Sequence, residues 1–391
     1  MMELSSYKKH IIVSDLGTKS YNLFLCELNI SCTSKNTKGE RFSFEIGGNG
    51  IDTNLDLARV KCLSEFNERY ESLNPENIRN ATIISPESDL KQISISSIFN
   101  FKKQGIDNDF VFKNYHQQHL VKVKGLINNK DYLFPLSCIL PNFNLHVPST
   151  NFVGDIESSG IVSGLGPDDK RDLNLIGLQE VLERDAIMRA WRDPEYKISK
   201  IDQRYLPLDL SNHLQELGLT VTIYDVGLSN LSMVILVIVA DSLQRITFGS
   251  KATMEITEGV RHSIHEALMI RYKLIRIGLH KLKTQEFVKS SLDHVIYGFQ
   301  NGGFILSLFE KKNSKNKQTL YAKNALELYS NCQQRFLLEP LFYSISSKTN
   351  SRVIRVLLIN CMRKEWDANT PFLIPLQSTN IPYNNRPHPY G

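Results

Sequence analysis

Short apolar segments alternate with polar ones in the first fifty residues, a pattern typical of β-strands. Gly, Asn, Ser and Lys separate three such segments, HIIVSD (10–15), YNLFLCELNI (21–30) and FSFEI (42–46). Two segments rich in Val and Ile follow in the middle of the chain, VTIYDVG (221–227) and MVILVIVA (233–240). The last of these suits a buried strand and is too short to cross a bilayer.

Three further segments repeat apolar residues at the spacing of an α-helix. The first helix is predicted at about 53–70, after a glycine-rich loop at 47–50, with Asp52 or Thr53 as its N-cap. The second is predicted to begin at Pro167, which is followed by acidic residues, and to run to about Trp191. The third extends from about 257 to 278. The apolar residues that define them are Leu55, Ala58, Cys62 and Phe66, then Leu173, Ile176, Leu178, Val181, Leu182 and Ile187, then Val260, Ile264, Leu268 and Ile275.

Strands that alternate with helices indicate an α/β architecture. No long linker rich in Pro or Ser divides the chain, so we expect one composite domain over residues 1–391, with N-terminal strands in 1–45. The segment 380–391 is predicted to be an extended tail, because Pro382, Pro387 and Pro389 prevent a helix there. A chain of 391 residues can bury a substantial core.

Composition excludes several classes of protein. A net charge of +5 over 391 residues is too weak to indicate a nucleic-acid partner. The six cysteines lack the spacing of a zinc site, so we expect reduced, buried thiols. The N-terminus has only a three-residue apolar stretch, which excludes a signal peptide and predicts a cytoplasmic protein with no membrane contact. The P-loop, dinucleotide, zinc-protease and serine-hydrolase motifs are also missing from the sequence.

The first two helices carry the same acidic motif, 115 residues apart. Residues three apart on a helix have Cβ atoms about 5–6 Å apart, so each helix presents two carboxylates side by side. Partial burial at the edge of the apolar stripe would raise their pKa values unless a cation compensates. Mg²⁺ suits such a pair, since it binds carboxylate oxygen and completes its shell with substrate phosphates. The matching residues are Leu63, Glu65, Glu68 and Arg69 in the first helix and Leu178, Glu180, Glu183 and Arg184 in the second.

Two interpretations of the charged residues stay open on the sequence alone. Arg69 and Arg184 could form structural ion pairs or could contact phosphate oxygens bidentately. The third helix adds Glu266 and Arg271. Together these residues suit either a metal–nucleotide site shared by three helices or three separately solvated helix faces.

The chain resembles the YcaO family, whose members use ATP to activate backbone amides of ribosomally made peptides. The similar passages are GGNGIDTNLDLARVKCLSEFNERY (47–70), SSGIVSGLGPDDKRDLNLIGLQEVLERDAIMRAW (158–191), GVRHSIHEALMIR (259–271) and NNRPHPYG (384–391). The resemblance implies an α/β domain with helices and sheets around an ATP cleft. It also implies that Mg²⁺ is held against the ATP phosphates by Glu65, Glu68, Glu180 and Glu183, and that Arg184, Arg271 and Glu266 bind the nucleotide. Lys61 and Arg69 are further candidates for ATP binding, because each could contact phosphate oxygens. Glu180, Glu183 and Arg184 would be the catalytic residues.

Three positions depart from the family pattern. Lys61 replaces a usual Ser, and it could bind phosphate as a point charge or pair with Glu65. Met269 replaces a usual Gln and cannot form a strong hydrogen bond. The ending PHPYG (387–391) differs from the repeated Pro-x-Pro-x-Pro end of many azoline-forming members.

The resemblance predicts an ATP-dependent cyclodehydratase that converts Cys, Ser or Thr of a precursor peptide to azolines, as in thiazole- and oxazole-modified bacteriocins. Two alternatives stay open: a thioamide- or amidine-forming enzyme, and a non-catalytic nucleotide-binding scaffold, which Lys61 and Met269 favour. No fused peptide-recognition domain is apparent, so we expect a separate companion protein that binds the leader peptide. A flavin-dependent dehydrogenase as a further partner and a homodimer are also left open, whereas nucleic acid and membrane are not expected as partners.

Overall fold

A computed structural model describes residues 10–35, 39–74, 77, 90–93, 120–136, 139–140, 156–157, 159–164, 169–278, 291–314, 320–345, 352–359, 361, 364–365 and 386–390. The helices in these ranges are α1 (Leu55–Leu73), α2 (Leu173–Arg192), α3 (Leu208–Glu216), α4 (Ile256–Ile277), α5 (Ser291–Gln300), α6 (Gly302–Lys312) and α7 (Ala325–Phe336). The strands are β1 (His10–Asp15), β2 (Phe24–Lys35), β3 (Arg41–Asp52), β4 (Lys91–Gln92), β5 (Leu120–Gly125), β6 (Asp131–Pro135), β7 (Ile156–Glu157), β8 (Ser159–Ser163), β9 (Ser199–Lys200), β10 (Thr220–Asp225), β11 (Met233–Ala240), β12 (Ile246–Thr253), β13 (Leu341–Ile345), β14 (Val353–Leu357) and β15 (Lys364–Glu365).

The strands form three main sheets and one small pair. Sheet A has the order β1-β2-β3, sheet B the order β4-β6-β5-β13-β14-β8, and sheet C the order β12-β11-β10-β9, while β7 pairs with β15. Among the described ladders, only the pairing of β4 with β6 is parallel. The predicted α/β class is confirmed, and β1 and β11 begin and end as predicted. The predicted third helix is also confirmed as α4, which ends before Gly278.

The glycine-rich segment 47–50 is part of strand β3, so the predicted loop is wrong. A Cβ atom on Gly50 would lie 1.9 Å from the carbonyl oxygen of Ala58, and one on Gly48 would lie 2.2 Å from that of Cys62. Helix α1 therefore packs its backbone directly onto β3. Only glycine permits so close an approach, which is why these residues occur within a strand.

The predicted start of the first helix is wrong by a residue or two. Asn54 is the N-cap rather than Asp52 or Thr53, since its Oδ1 accepts the backbone N–H groups of Asp56 and Leu57 at 2.8 and 3.1 Å. Two amide groups that the helix itself leaves without an acceptor are satisfied in this way.

Helix α2 begins at Leu173 rather than at Pro167. Asp172 is the N-cap, and its Oδ1 accepts the backbone N–H of Leu175 at 3.1 Å. Pro167 and Asp168 lie outside the described residues. The prediction took the proline as the first helical residue, whereas the cap lies five residues later.

Helices α2 and α4 are each buried between two sheets. Ile275 was predicted to share the apolar face of α4 but is 52% exposed, and Leu274 is buried instead. The cluster between sheets A and C contains Val260, Ile264 and Leu268 of α4, Ile51 of β3 and Val237 of β11. Helix α2 packs on sheet B through Leu178, Val181 and Leu182 and on sheet C through Ala186 and Met188. Helix α1 covers the other face of sheet A through Ala58 and Cys62.

The prediction of buried cysteines is confirmed for the five that the structure describes, Cys26, Cys32, Cys62, Cys332 and Cys361, all of them free thiols. Cys138 lies outside the described residues. Among the described helices, none combines the length and the apolar character that a membrane crossing requires.

The described part of the predicted tail, 386–390, contains no helix and packs against sheet C. The ring of His388 stacks on that of His294, with the ring centroids 3.7 Å apart. The ring of Tyr390 meets the ring of Phe248 edge-on at 5.2 Å, and Tyr390 is only 4% exposed. The end of the chain therefore completes the core beside β12.

We expect Tyr390→Ala to lower the free energy of unfolding by about 3 kcal/mol, because it removes a large buried ring and leaves a cavity. Urea unfolding followed by circular dichroism measures this change. Leu326→Ala is the matched control, since Leu326 is 80% exposed and its removal should change the stability by less than about 0.5 kcal/mol. Equal small effects of the two substitutions would contradict the packing of the tail.

Candidate active site

Helix α1 connects the edges of sheets A and B through two glutamates. Oε2 of Glu65 accepts the backbone N–H of Asn49, on the edge strand β3, at 2.5 Å. One turn later, Oε1 of Glu68 accepts the backbone N–H of Ser163, on the edge strand β8, at 2.8 Å. The hydroxyl of Ser64 donates to the carbonyl oxygen of Ser163 at 3.1 Å. The carboxylates thus accept hydrogen bonds from N–H groups at the sheet edges, where the carbonyl groups of a further strand would otherwise be the acceptors.

Helix α2 connects sheets B and C in the same way. Oε2 of Glu180 accepts the backbone N–H of Ile161, on β8, at 2.7 Å. Glu183 accepts the hydroxyl of Ser250 at 2.6 Å and the backbone N–H of Ala252 at 2.9 Å, both on the edge strand β12. The repeated motif therefore has one structural role in both helices, which is to hold two different sheet edges with two carboxylates.

Helix α4 connects sheets C and A and closes the ring. Oε2 of Glu266 accepts the backbone N–H of Ser250 at 2.7 Å. The ammonium group of Lys273 donates to Oδ1 of Asn49, on β3, at 2.5 Å. Three helices and three edge strands are thus linked in one closed circle. We call its five carboxylates the glutamate ring: Glu65, Glu68, Glu180, Glu183 and Glu266.

The geometry around α1 recurs around α4. In both places the N–H donor precedes the accepting glutamate by 16 residues. A glycine precedes each donor, and a Cβ atom on Gly48 or Gly249 would lie 2.2 or 1.9 Å from a carbonyl oxygen of the following helix. The sequence repeat was found only between α1 and α2, because Met269 stands in α4 where the second glutamate of the motif would be.

Carboxylates crowd each other beside β8. Burial raises the pKa of Glu68 to about 8, and the neighbouring charges of Glu180 and Glu65 add to this effect. The N–H of Ser163 and the charge of Arg355 oppose it. Glu68 and Glu180 therefore lie close enough to repel each other when both are ionised, and a cation between them would remove that repulsion.

The two arginines of the motif pair with glutamates of the ring. Arg69 lies 2.5 Å from Oε1 of Glu65, and Arg184 forms an ion pair with Oε1 of Glu180. Each pair joins residues one helical turn apart. The structure therefore shows Arg69 and Arg184 in ion pairs within their helices. Their contact with phosphate oxygens stays a prediction.

The two unusual residues Lys61 and Met269 have partners away from the glutamate ring. The ammonium group of Lys61 pairs with Asp52 at 2.7 Å, so the alternative pairing with Glu65 is not what the structure shows. Burial alone would raise the pKa of Asp52, but the hydrogen bonds from Lys61 and the backbone of Asn54, with the charge of Lys61, together outweigh it, and the pKa is lowered. Met269 packs against the apolar cluster between sheets A and C.

Arg271 is not brought to the glutamate ring. Its guanidinium donates to Asp241 at 2.5 Å and to the carbonyl oxygen of Arg245 at 3.0 Å, and the residue is buried. Arg245 precedes β12 and lies five residues from Ser250, or about 17 Å along an extended strand. The predicted contact of Arg271 with ATP stays a prediction, and in the structure this side chain joins α4 to the start of β12.

Sequence reasoning missed the residues that anchor the glutamate ring, among them Asn49, Ser163, Ser250 and Lys273. Asn49 lies in the glycine-rich segment 47–50, whose glycines mark an unusual backbone but indicate a loop rather than a strand that contacts a helix. The other three had no local signal, because their partners are distant in sequence. Lys273 and Asn49, for example, are 224 residues apart.

The donor set fits Mg²⁺ that also binds a phosphate. Within the described part of the chain, no group of three His, Cys, Asp or Glu side chains is arranged to hold a metal ion by itself. Mg²⁺ commonly takes one or two carboxylates and completes its octahedral shell with phosphate oxygens and water. Glu68 and Glu180 supply such a pair, since they are close enough for the charge of Glu180 to raise the pKa of Glu68.

The sequence profile of one family, YcaO cyclodehydratase, ATP- and Mg²⁺-binding, matches residues 49–337. The chain belongs to the YcaO family. All five residues of the glutamate ring lie within the matched range. Comparison of this YcaO protein with curated protein sequences finds no significant match.

Solved structures show that the YcaO fold is shared. A heterocyclase in complex with substrate and cofactor superposes with a TM-score of 0.65 at 14% identity, over 97% of this chain and 54% of that one. The E. coli microcin synthetase McbBCD complex superposes with a TM-score of 0.64 at 13% identity, over 91% of this chain and 88% of that one. The YcaO protein of Methanopyrus kandleri bound with AMPPCP and Mg²⁺ superposes with a TM-score of 0.55 at 13% identity, over 90% of this chain and 85% of that one. This chain spans about half the length of the heterocyclase.

Proposed function

We propose that this YcaO protein is an ATP-dependent cyclodehydratase that acts on a ribosomally made precursor peptide. The observation that carries the proposal is the glutamate ring, in which three helices contribute carboxylates to one closed circle of sheet edges. The family description supports ATP and Mg²⁺ as ligands. One structural neighbour is bound with AMPPCP and Mg²⁺, and another is a microcin synthetase with pro-MccB17 bound.

In the proposed reaction, the side chain of a substrate Cys, Ser or Thr gives its proton to solvent and attacks the carbonyl carbon of the preceding amide, whose C=O double bond opens to an oxyanion. The resulting oxyanion forms a bond to the γ-phosphorus of ATP as the bond to the ADP oxygen breaks. Phosphate then leaves with the former amide oxygen, and loss of the amide proton gives the azoline. Phosphorylation is needed because an amide oxygen is otherwise a poor leaving group.

The protein contributes positioning and electrostatics to this reaction. We propose that Glu65, Glu68, Glu180 and Glu183 hold Mg²⁺, which when bound would neutralise charge on the phosphates. Backbone N–H groups of the edge strands fix the orientation of all four carboxylates. We assign the catalytic roles to Glu180 and Glu183, with Arg184, which is paired with Glu180 in the structure.

The proposal is tested with a precursor peptide rich in Cys, Ser and Thr that is encoded beside this gene. With ATP and Mg²⁺, we expect release of ADP and phosphate, and a peptide that has lost one water for each ring. Mass spectrometry separates the alternatives, because a thioamide exchanges oxygen for sulfur and an amidine requires an added amine.

A non-catalytic nucleotide-binding scaffold is the second candidate. The pairing of Lys61 with Asp52 favours it, because this cation is already neutralised rather than free for phosphate. Met269, packed in an apolar cluster, also cannot contact a nucleotide by a strong hydrogen bond. Calorimetry that shows tight ATP binding without peptide-stimulated hydrolysis would support the scaffold against the enzyme.

We also propose a separate companion protein that binds the leader peptide. The support is that one neighbour of similar fold is part of the McbBCD complex. We expect the purified chain alone to leave the precursor unmodified, and the product of a neighbouring gene to restore modification. Full activity of the isolated chain would contradict this.

We further propose a cytoplasmic location, because the described cysteines are free, buried thiols, which suits a reducing compartment. The dehydrogenase partner and the homodimer stay predictions.

A further inference from the structure

Asn49 is held on two sides at the edge of β3. Its backbone N–H donates to Oε2 of Glu65 at 2.5 Å, and its Oδ1 accepts the ammonium group of Lys273 at 2.5 Å. We propose that Lys273 is a positioning residue that fixes Asn49 and, through Asn49, the carboxylate of Glu65. The inference rests on the proposed role of Glu65 as a Mg²⁺ ligand and names a residue that acts on it from another helix.

Lys273 is itself held by the neighbouring strand. Its ammonium group lies 3.8 Å from Oε1 of Glu27, which is only 3% exposed. Glu27 stands directly opposite Asn49 in the ladder between β2 and β3. The same carboxylate also receives both terminal nitrogens of Arg276. Lys273 is therefore anchored at a buried carboxylate while it donates to Asn49.

Asn49 needs such an anchor because its neighbours are glycines. Gly48 precedes it and Gly50 follows it, and both are required by the close approach of helix α1. Glycine restricts the backbone less than any other residue, so the direction of the N–H between them is weakly fixed by the chain alone. A side-chain contact at Asn49 compensates for this freedom.

The equivalent position on β12 is anchored in the same way. Ser250 donates its N–H to Glu266, and its hydroxyl donates to Glu183 on a different helix. In both copies of the motif, the residue that fixes a glutamate through its backbone is held through its side chain by another helix. The recurrence argues that the contact of Lys273 with Asn49 belongs to the construction of the ring.

A positioning role and a simple charge effect predict opposite changes in Mg²⁺ affinity when Lys273 is removed. A lysine close to a metal-binding carboxylate repels the metal ion, so its removal would strengthen Mg²⁺ binding if charge alone mattered. Loss of a group that orients a ligand weakens metal binding, typically by 10–100-fold. The direction of the change therefore separates the two roles.

The test is a Mg²⁺ titration of the full chain at a fixed concentration of a non-hydrolysable ATP analogue, with analogue binding followed by calorimetry. We expect Lys273→Met to raise the half-saturating Mg²⁺ concentration about 10-fold. Lys273→Arg should restore most of the affinity. Asn49→Ala, which keeps the backbone N–H but removes the acceptor, should cause a similar loss. The double variant should lose no more than either single variant, because both act through one amide.

Arg276→Met is the matched control, since it removes the other partner of Glu27 but does not contact Asn49. It should lower the melting temperature and leave the half-saturating Mg²⁺ concentration unchanged. An unchanged or lowered value in Lys273→Met, or additive losses in the double variant, would overturn the positioning role while leaving the proposed function intact. If Lys273→Met does not fold, Asn49→Ala decides the question alone. If the unmodified protein shows no Mg²⁺-dependent nucleotide binding, the proposed function fails as well.

Discussion

Replacing Glu180 and Glu183 together with glutamine should reduce peptide-dependent ADP release at least about a thousand-fold. Both carboxylates are proposed to hold the ion that neutralises the transferring phosphoryl group, and such electrostatic contacts are among the largest contributions to catalysis. Glutamine keeps one acceptor oxygen, so the hydrogen bonds from Ile161 and Ala252 can persist. Release of ADP is measured with a coupled assay at saturating ATP and peptide.

Glu258 and Glu327 provide the control for this experiment. Both are exposed, and replacing the pair with glutamine makes the same change in net charge. The control should keep its turnover, and circular dichroism should show that both double variants are folded. Turnover retained in the variant of Glu180 and Glu183 would count against the assignment of the active site.

Substituting Gly50 with alanine should be among the most destabilising single changes in this chain. The new Cβ atom would lie 1.9 Å from the carbonyl oxygen of Ala58 and 2.5 Å from the nitrogen of Cys62. Because both atoms belong to the backbone of α1, the whole helix must move away from β3. We expect the free energy of unfolding to fall by about 3 kcal/mol or more, as measured by urea unfolding.

Gly249→Ala should behave like Gly50→Ala, because its Cβ atom would lie 1.9 Å from the carbonyl oxygen of Ser263 in α4. Gly164→Ala is the matched control. The nearest atom to its Cβ would be Cδ1 of Leu173 at 3.4 Å, which is at the edge of ordinary contact. A large loss of stability in the control, or none in the two tight positions, would show that the helices do not depend on these glycines.

Local patterns predicted the elements well, because each depends on residues close together in sequence. The run Met233–Ala240 is a strand as predicted, and the Glu-x-x-Glu-Arg repeat of α1 and α2 marks the helices that hold the sheet edges. The prediction of a loop at 47–50 was wrong because it, too, used only residues close together in sequence. Glycine usually indicates a loop, and only the approach of a helix from later in the chain explains why it occurs within a strand.

The candidate site could be predicted only in part. Glu65, Glu68, Glu180, Glu183 and Glu266 were all selected from the sequence, and the structure links them in one ring. Arg271 was selected with them, but it pairs with Asp241 in the turn between β11 and β12, away from Ser250. Pairing between distant segments decides which charge meets which, and no spacing within one helix contains that information.

The glutamate ring is anchored mainly by main-chain amides, and this has a consequence for sequence divergence. At Ile161, Ser163 and Ala252 only the backbone N–H holds a glutamate, and every amino acid except proline supplies that group. The side chains at these three positions can therefore change without loss of the hydrogen bonds that hold the acidic groups. Such anchoring by the backbone suits a fold that this chain shares with a solved structure at only 13% identity.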